Sequence, residues 1–89
     1  MGKDIIVEKV NEFLMDEFEL EKDQLLTDAL MKDDLDIESL DFVDIAVVIE
    51  KEFGLKVTSE QMVKITTLDD LYNLILEQLN LDIGFLFKF

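Results

Sequence analysis

The sequence predicts an all-α protein, a small four-helix bundle with a long first connection and a short third helix. Three observations carry that expectation. Apolar residues recur at helical spacing in the long stretches, capping patterns stand ahead of them, and the usual breakers are scarce, with three glycines and no proline in 89 residues. Caps and charge must therefore punctuate the chain. A hydrophobic content of 49% against 34% charged is enough for one folded domain with a single core and a modest stability margin.

The first helix is read over residues 4–18, with Ile6, Val10, Phe13 and Leu14 on one face and Glu8, Lys9, Asn11, Glu12 and Asp16 mostly on the other. Residues 19–38 are less regular. Leu20, Leu25, Leu26, Leu30, Leu35 and Ile37 are spaced there as anchors for an ordered connection rather than a free linker. The second helix is expected over residues 39–53, with Leu40, Val43, Ala46, Val47 and Phe53 among its apolar positions and Gly54 as its left-handed cap. Thr58-Ser59-Glu60-Gln61 reads as a capping box that opens a short helix to about residue 64. Thr67-Leu68-Asp69-Asp70 opens the last helix, with Leu68, Leu71, Tyr72, Ile75 and Leu79 facing inward. On this reading residues 1–80 form the bundle. Residues 81–89 form an apolar aromatic tail whose Phe85, Phe87 and Phe89 are expected to pack back on it.

A net charge of -14 argues against nucleic acid and against an anionic membrane surface, since both would repel the chain and no basic stripe offers relief. Partners with basic patches are expected instead. No uncharged run is long enough to span a bilayer, so the expectation is a monomer in the cytoplasm with no direct membrane insertion. The absence of cysteine rules out a disulfide framework and is compatible with a reducing compartment.

The richest stretch surrounds Ser39, which sits among Asp34, Asp36, Glu38, Asp41 and Asp44 just ahead of a strongly apolar helical run. The chain contains no His, no Cys and no Arg, so nothing conventional could deprotonate this serine for nucleophilic attack. The hydroxyl reads as an attachment point rather than a catalyst, and the chain as a non-catalytic protein. The start of a helix also offers unpaired N–H groups and a positive dipole end to a phosphate. A calcium loop is the competing reading of the acidic run, with Asp34, Asp36 and Glu38 as its first ligands. It fails because Ser39 stands at the turn glycine and Ile45 at the bidentate glutamate, leaving no specific metal site.

The region from Asp34 to Asp44, followed by Glu50-Lys51-Glu52-Phe53-Gly54 and by Lys64-Ile65-Thr66-Thr67-Leu68, resembles the acyl carrier protein family. The resemblance extends from the first helix to about residue 80. It implies an acyl-carrier-like bundle in which Ser39 receives phosphopantetheine from coenzyme A by the action of a phosphopantetheinyl transferase. Acyl intermediates would then ride as thioesters to enzymes of fatty acid, lipid or polyketide biosynthesis. Glu38 stands where the family usually has Asp, and Asp36 where Gly is common. The longer glutamate is expected to cap the helix less well.

The same resemblance implies a face that docks acyl-transferring, condensing or ligating enzymes through Glu38, Leu40, Asp41, Val43, Asp44, Glu50, Glu52 and Glu60. It implies an acyl pocket bordered by Val43, Val47, Val57, Met62, Ile65, Tyr72 and Leu76, although an ordinary closed core accounts for the same residues. Met62 and Phe42 stand where smaller residues are usual, which suits a specialised carrier. Two alternatives remain open on these residues: an unmodified acidic interaction module, and an aminoacyl or peptidyl carrier.

Overall fold

The computed structural model describes residues 2–87, with side-chain environments through residue 80. In chain order it contains α1 (Lys3–Phe18), one 3-10 turn (Lys22–Gln24), α2 (Ser39–Phe53), α3 (Ser59–Met62) and α4 (Leu68–Phe87). The all-α bundle with its long first connection and short third helix is therefore observed.

Local caps explain the boundaries. Gly54 adopts φ 70 after α2, and its N–H donates to the Glu50 carbonyl at 2.9 Å, as a left-handed C-terminal cap should. At α3 the Gln61 N–H donates to Thr58 Oγ1 at 3.2 Å while Gln61 Oε1 accepts the Thr58 N–H at 2.9 Å. This reciprocal box starts a helix that ends at Met62, shorter than the expected run to residue 64. The chain tightens there instead, with Ile65 N–H donating to the Met62 carbonyl at 3.1 Å.

The start of α4 is tied to the long connection. Asp70 N–H donates to Thr67 Oγ1, and Asp70 Oδ2 accepts the N–H groups of Thr66 and Thr67 at 3.1 and 3.0 Å. Those two backbone donors, Thr67 first, hold the Asp70 carboxyl below its ordinary range. The next helical N–H groups find acceptors far away in sequence: Leu68 donates to the Ala29 carbonyl and Asp69 to the Thr27 carbonyl, both at 2.9 Å. Orphan donors of a helix start are thus satisfied by a loop, and the loop is stapled in return.

The connection buries Leu25, Ala29, Met31, Leu35 and Ile37. Leu26, expected as an anchor, is 59% exposed, and Leu30 is only partly buried. Ala29 and Met31 take the inward places because the turn over residues 30–35 and the bridge from Leu30 to Thr67 set the register of the segment. The main core joins Ile6, Val10 and Leu14 of α1 to Ile45 and Ile49 of α2 and to Leu68, Leu71, Tyr72 and Ile75 of α4. The Tyr72 hydroxyl donates to Asn11 Oδ1, which ties α4 to α1. Burial pushes the Tyr72 hydroxyl up to about 12.

The backbone of α4 continues without a break to Phe87, so Gly84 does not end it and no helix boundary falls near residue 80. A lone glycine inside a helix costs only about 1 kcal/mol against alanine and is not a stop signal by itself. The expected packing of the Phe85, Phe87 and Phe89 side chains lies outside the described residues.

Asp36 is held in the left-handed region at φ 54. A Cβ is unfavourable there by roughly 1 kcal/mol, with aspartate among the more tolerant residues. Asp36→Gly is accordingly expected to raise the melting temperature by roughly 4–8 °C, the shift of about 1 kcal/mol in a domain of this size. Asp36→Ala separates the causes, because it removes the same charge but keeps the Cβ. An equal rise in the alanine variant would assign the effect to charge and refute the backbone argument.

Candidate functional site

Ser39 is the first residue of α2, and the segment leading to it alternates inward and outward. Leu35 and Ile37 are buried, whereas Asp34, Asp36 and Glu38 are exposed. Ile37 N–H donates to the Met31 carbonyl at 2.8 Å, and Asp34 Oδ2 accepts the Leu30 N–H at 2.8 Å. Two apolar plugs and two hydrogen bonds therefore fix the backbone just ahead of an exposed hydroxyl.

The cap at Glu38 is built from the other side. Asp41 Oδ2 accepts the Glu38 N–H at 2.9 Å, while the Asp41 N–H donates to the Glu38 carbonyl at 2.9 Å. Glu38 is itself exposed at the N-cap position. The corollary concerns Asp41, which is half-buried and spends one oxygen on the helix start. It is less available for docking than its place in the acidic run implied.

The apolar residues of α2 divide between two faces. Ile45 and Ile49 enter the core, whereas Leu40, Val43 and Val47 are 84%, 64% and 60% exposed. Val63, just after α3, is 76% exposed and adds to the uncovered apolar surface on this side of the bundle. Exposed Asp44, Glu50 and Glu60 stand on α2 and α3 beside it. Such an apolar surface beside solvated acids is suited to a partner presenting both apolar and basic groups. Glu52 belongs elsewhere, in a groove with Lys9, Glu12, Phe13 and Asp16 of α1. Val63 was missed in the sequence because a four-residue helix has no periodicity to mark an outward position.

Two cavities flank Ser39. One, of about 310 Å³, lies between α2 and α3 and is lined by Val43, Val47, Val57 and Met62 together with Ser39 and Phe42. The other, of about 410 Å³, lies toward the long connection, where Met31, Lys32, Ile37 and Ile65 line it with the same Ser39 and Phe42. Of the residues expected to border an acyl pocket, four therefore meet in the first cavity and Ile65 in the second. Tyr72 and Leu76 line neither. Tyr72 is turned toward α1 by its bond to Asn11, and Leu76 packs half-buried against the core.

Among the described residues no helix is long and apolar enough to cross a membrane. A family profile described as "Phosphopantetheine attachment site" matches residues 8–75, which cover all of α2 and α3 and the two cavities beside Ser39. An "Acyl carrier protein" of Petrotoga mobilis is 40% identical over 82 residues, spanning 92% of this chain and 96% of that relative. A profile match over most of the chain and a relative matched along nearly its whole length agree with the bundle, and the chain belongs to the acyl carrier protein family of phosphopantetheine-bearing carriers.

Proposed function

We propose that Ser39 is the attachment residue and that the chain, itself without catalytic activity, presents acyl thioesters to enzymes of fatty acid, lipid or polyketide biosynthesis. The observation that carries this reading is the position of Ser39: an exposed hydroxyl at the first residue of a 15-residue helix, at the mouth of two cavities. A phosphodiester there would meet the Ser39 and Leu40 N–H groups at the helix start, where backbone donors lack intrahelical acceptors, and the positive end of the dipole. Lys32 borders the loop-side cavity and is a nearby cation amid the acids. When attached, the arm supplies the terminal thiol that this cysteine-free chain lacks.

Attachment is a displacement at phosphorus. The Ser39 oxygen forms a bond to the phosphorus of coenzyme A that bears the pantetheine, the pyrophosphate bond breaks, and adenosine bisphosphate departs while the hydroxyl proton is lost. The chain has no His, and we assign the base for that proton to the transferase. Leu40, Val43, Asp44, Glu50 and Glu60 are the docking residues we assign to transferase and acyl-handling partners. Glu38 lies beside the attachment point and completes the acidic edge.

Intact-protein mass spectrometry after incubation with coenzyme A and a broad-specificity phosphopantetheinyl transferase tests the assignment. A gain of one phosphopantetheine is expected in the parent protein and none in Ser39→Ala, which should keep the parent's circular dichroism. Retention of the gain in the alanine variant would move the attachment elsewhere. No gain in either protein, with transferases of several sources, would favour an unmodified interaction module.

A further inference from the structure

We propose that Phe42 determines which acyl chains this carrier shelters, by separating the cavity between α2 and α3 from the cavity beside the long connection. The inference rests on Ser39 carrying the arm. Among the described residues, only Ser39 and Phe42 line both cavities. Phe42 lies three residues after Ser39, one turn further along the same face of α2, and borders both spaces beside the serine. The ring is half-buried and packs against the core, which restricts how far it can swing aside.

The walls of the two spaces differ. Val43, Val47, Val57 and Met62 make the α2–α3 side mostly apolar, with exposed Glu50 its one charged residue among the described ones, whereas Lys32, Asp33 and Glu38 place three charges on the other side. A hydrocarbon returning from an arm on Ser39 gains by leaving water on the more apolar side and would have to desolvate more charged groups on the other. With Phe42 present, the space offered to the chain on that side is the smaller, partly open cavity of about 310 Å³. Removing the ring joins that cavity to its neighbour through a gap whose deeper walls, Met31, Ile37 and Ile65, are themselves apolar. Phe42 is thus a limit on chain length rather than a contact that holds the chain.

The test uses the whole protein and its Phe42→Ala and Phe42→Leu variants, each charged from a series of straight-chain acyl coenzyme A thioesters by a permissive transferase. Intact mass verifies the charge on every form. The readout is the rise in melting temperature of each acyl form over the same variant carrying the bare arm, because a chain that binds only the folded state stabilises it. In the parent protein the rise should grow with chain length and then level off. In Phe42→Ala the levelling should move to longer chains, with Phe42→Leu between the two; the leucine variant keeps most of the packing and serves if the alanine variant folds poorly. The same levelling point in all three proteins at matched acyl masses would overturn the proposal while leaving the Ser39 assignment intact. Absence of any mass gain would overturn that assignment, and this inference with it.

Discussion

Leu71→Ala is expected to destabilise the protein by about 3 kcal/mol, within the usual range for a leucine truncated in a well-packed core. Leu71 has 0% exposure at the end of the first turn of α4, where that helix meets the rest of the core. A loss of that size corresponds to a fall of roughly 10–25 °C in melting temperature for a domain of this length. It is also a large part of the total stability that so small a domain can have. Leu40→Ala makes the contrast, since Leu40 is 84% exposed and its truncation should change stability by less than about 0.5 kcal/mol. Thermal melts of the two variants, followed by circular dichroism, decide the matter. Comparable losses would mean that the apolar surface on α2 is covered in the free protein, and the docking assignment would fall.

Salt is expected to stabilise this fold strongly. The net charge is -14, and among the described residues one ion pair forms, between Lys3 Nζ and Asp69 Oδ1 at 2.9 Å. Most carboxylates therefore repel without a nearby cation. The molecule measures 43 × 25 × 21 Å. At 0.01 M salt the screening length of about 30 Å lets charges across most of the molecule interact, whereas at 0.15 M it falls to about 8 Å and only neighbours do. The melting temperature should climb steadily between those two conditions and respond to magnesium at lower concentrations than to sodium. A melting temperature that stays level across the series would show that self-repulsion is not the term limiting stability.

Much of the site's surroundings was legible before any coordinates, because they are built by local interactions. The start of α2 at Ser39, the Gly54 cap and the Thr58–Gln61 box each depend on residues three or four positions apart, which the sequence displays directly. The convergence of Val43, Val47, Val57 and Met62 on one cavity could be anticipated only as part of a larger set, and Tyr72 and Leu76 in that set belong elsewhere. Which face of α2 is covered could not be read at all. Its apolar residues surround the helix, so periodicity alone does not distinguish the buried Ile45 and Ile49 from the exposed Val43 and Val47.

Composition and local pattern by themselves determined an all-α chain, its helix starts, its acidic character and a serine set among carboxylates in a chain without His, Cys or Arg. Those properties follow from side-chain chemistry and short-range hydrogen bonds, and they do not wait for the rest of the fold. Tertiary structure alone decided that Ala29 and Thr27 cap α4, that Met31 rather than Leu26 anchors the connection, and that Phe42 borders both cavities at Ser39. Each of these depends on which distant surface an element meets. Burial and orphaned backbone donors are settled only when that partner arrives, and no spacing within a single segment encodes it.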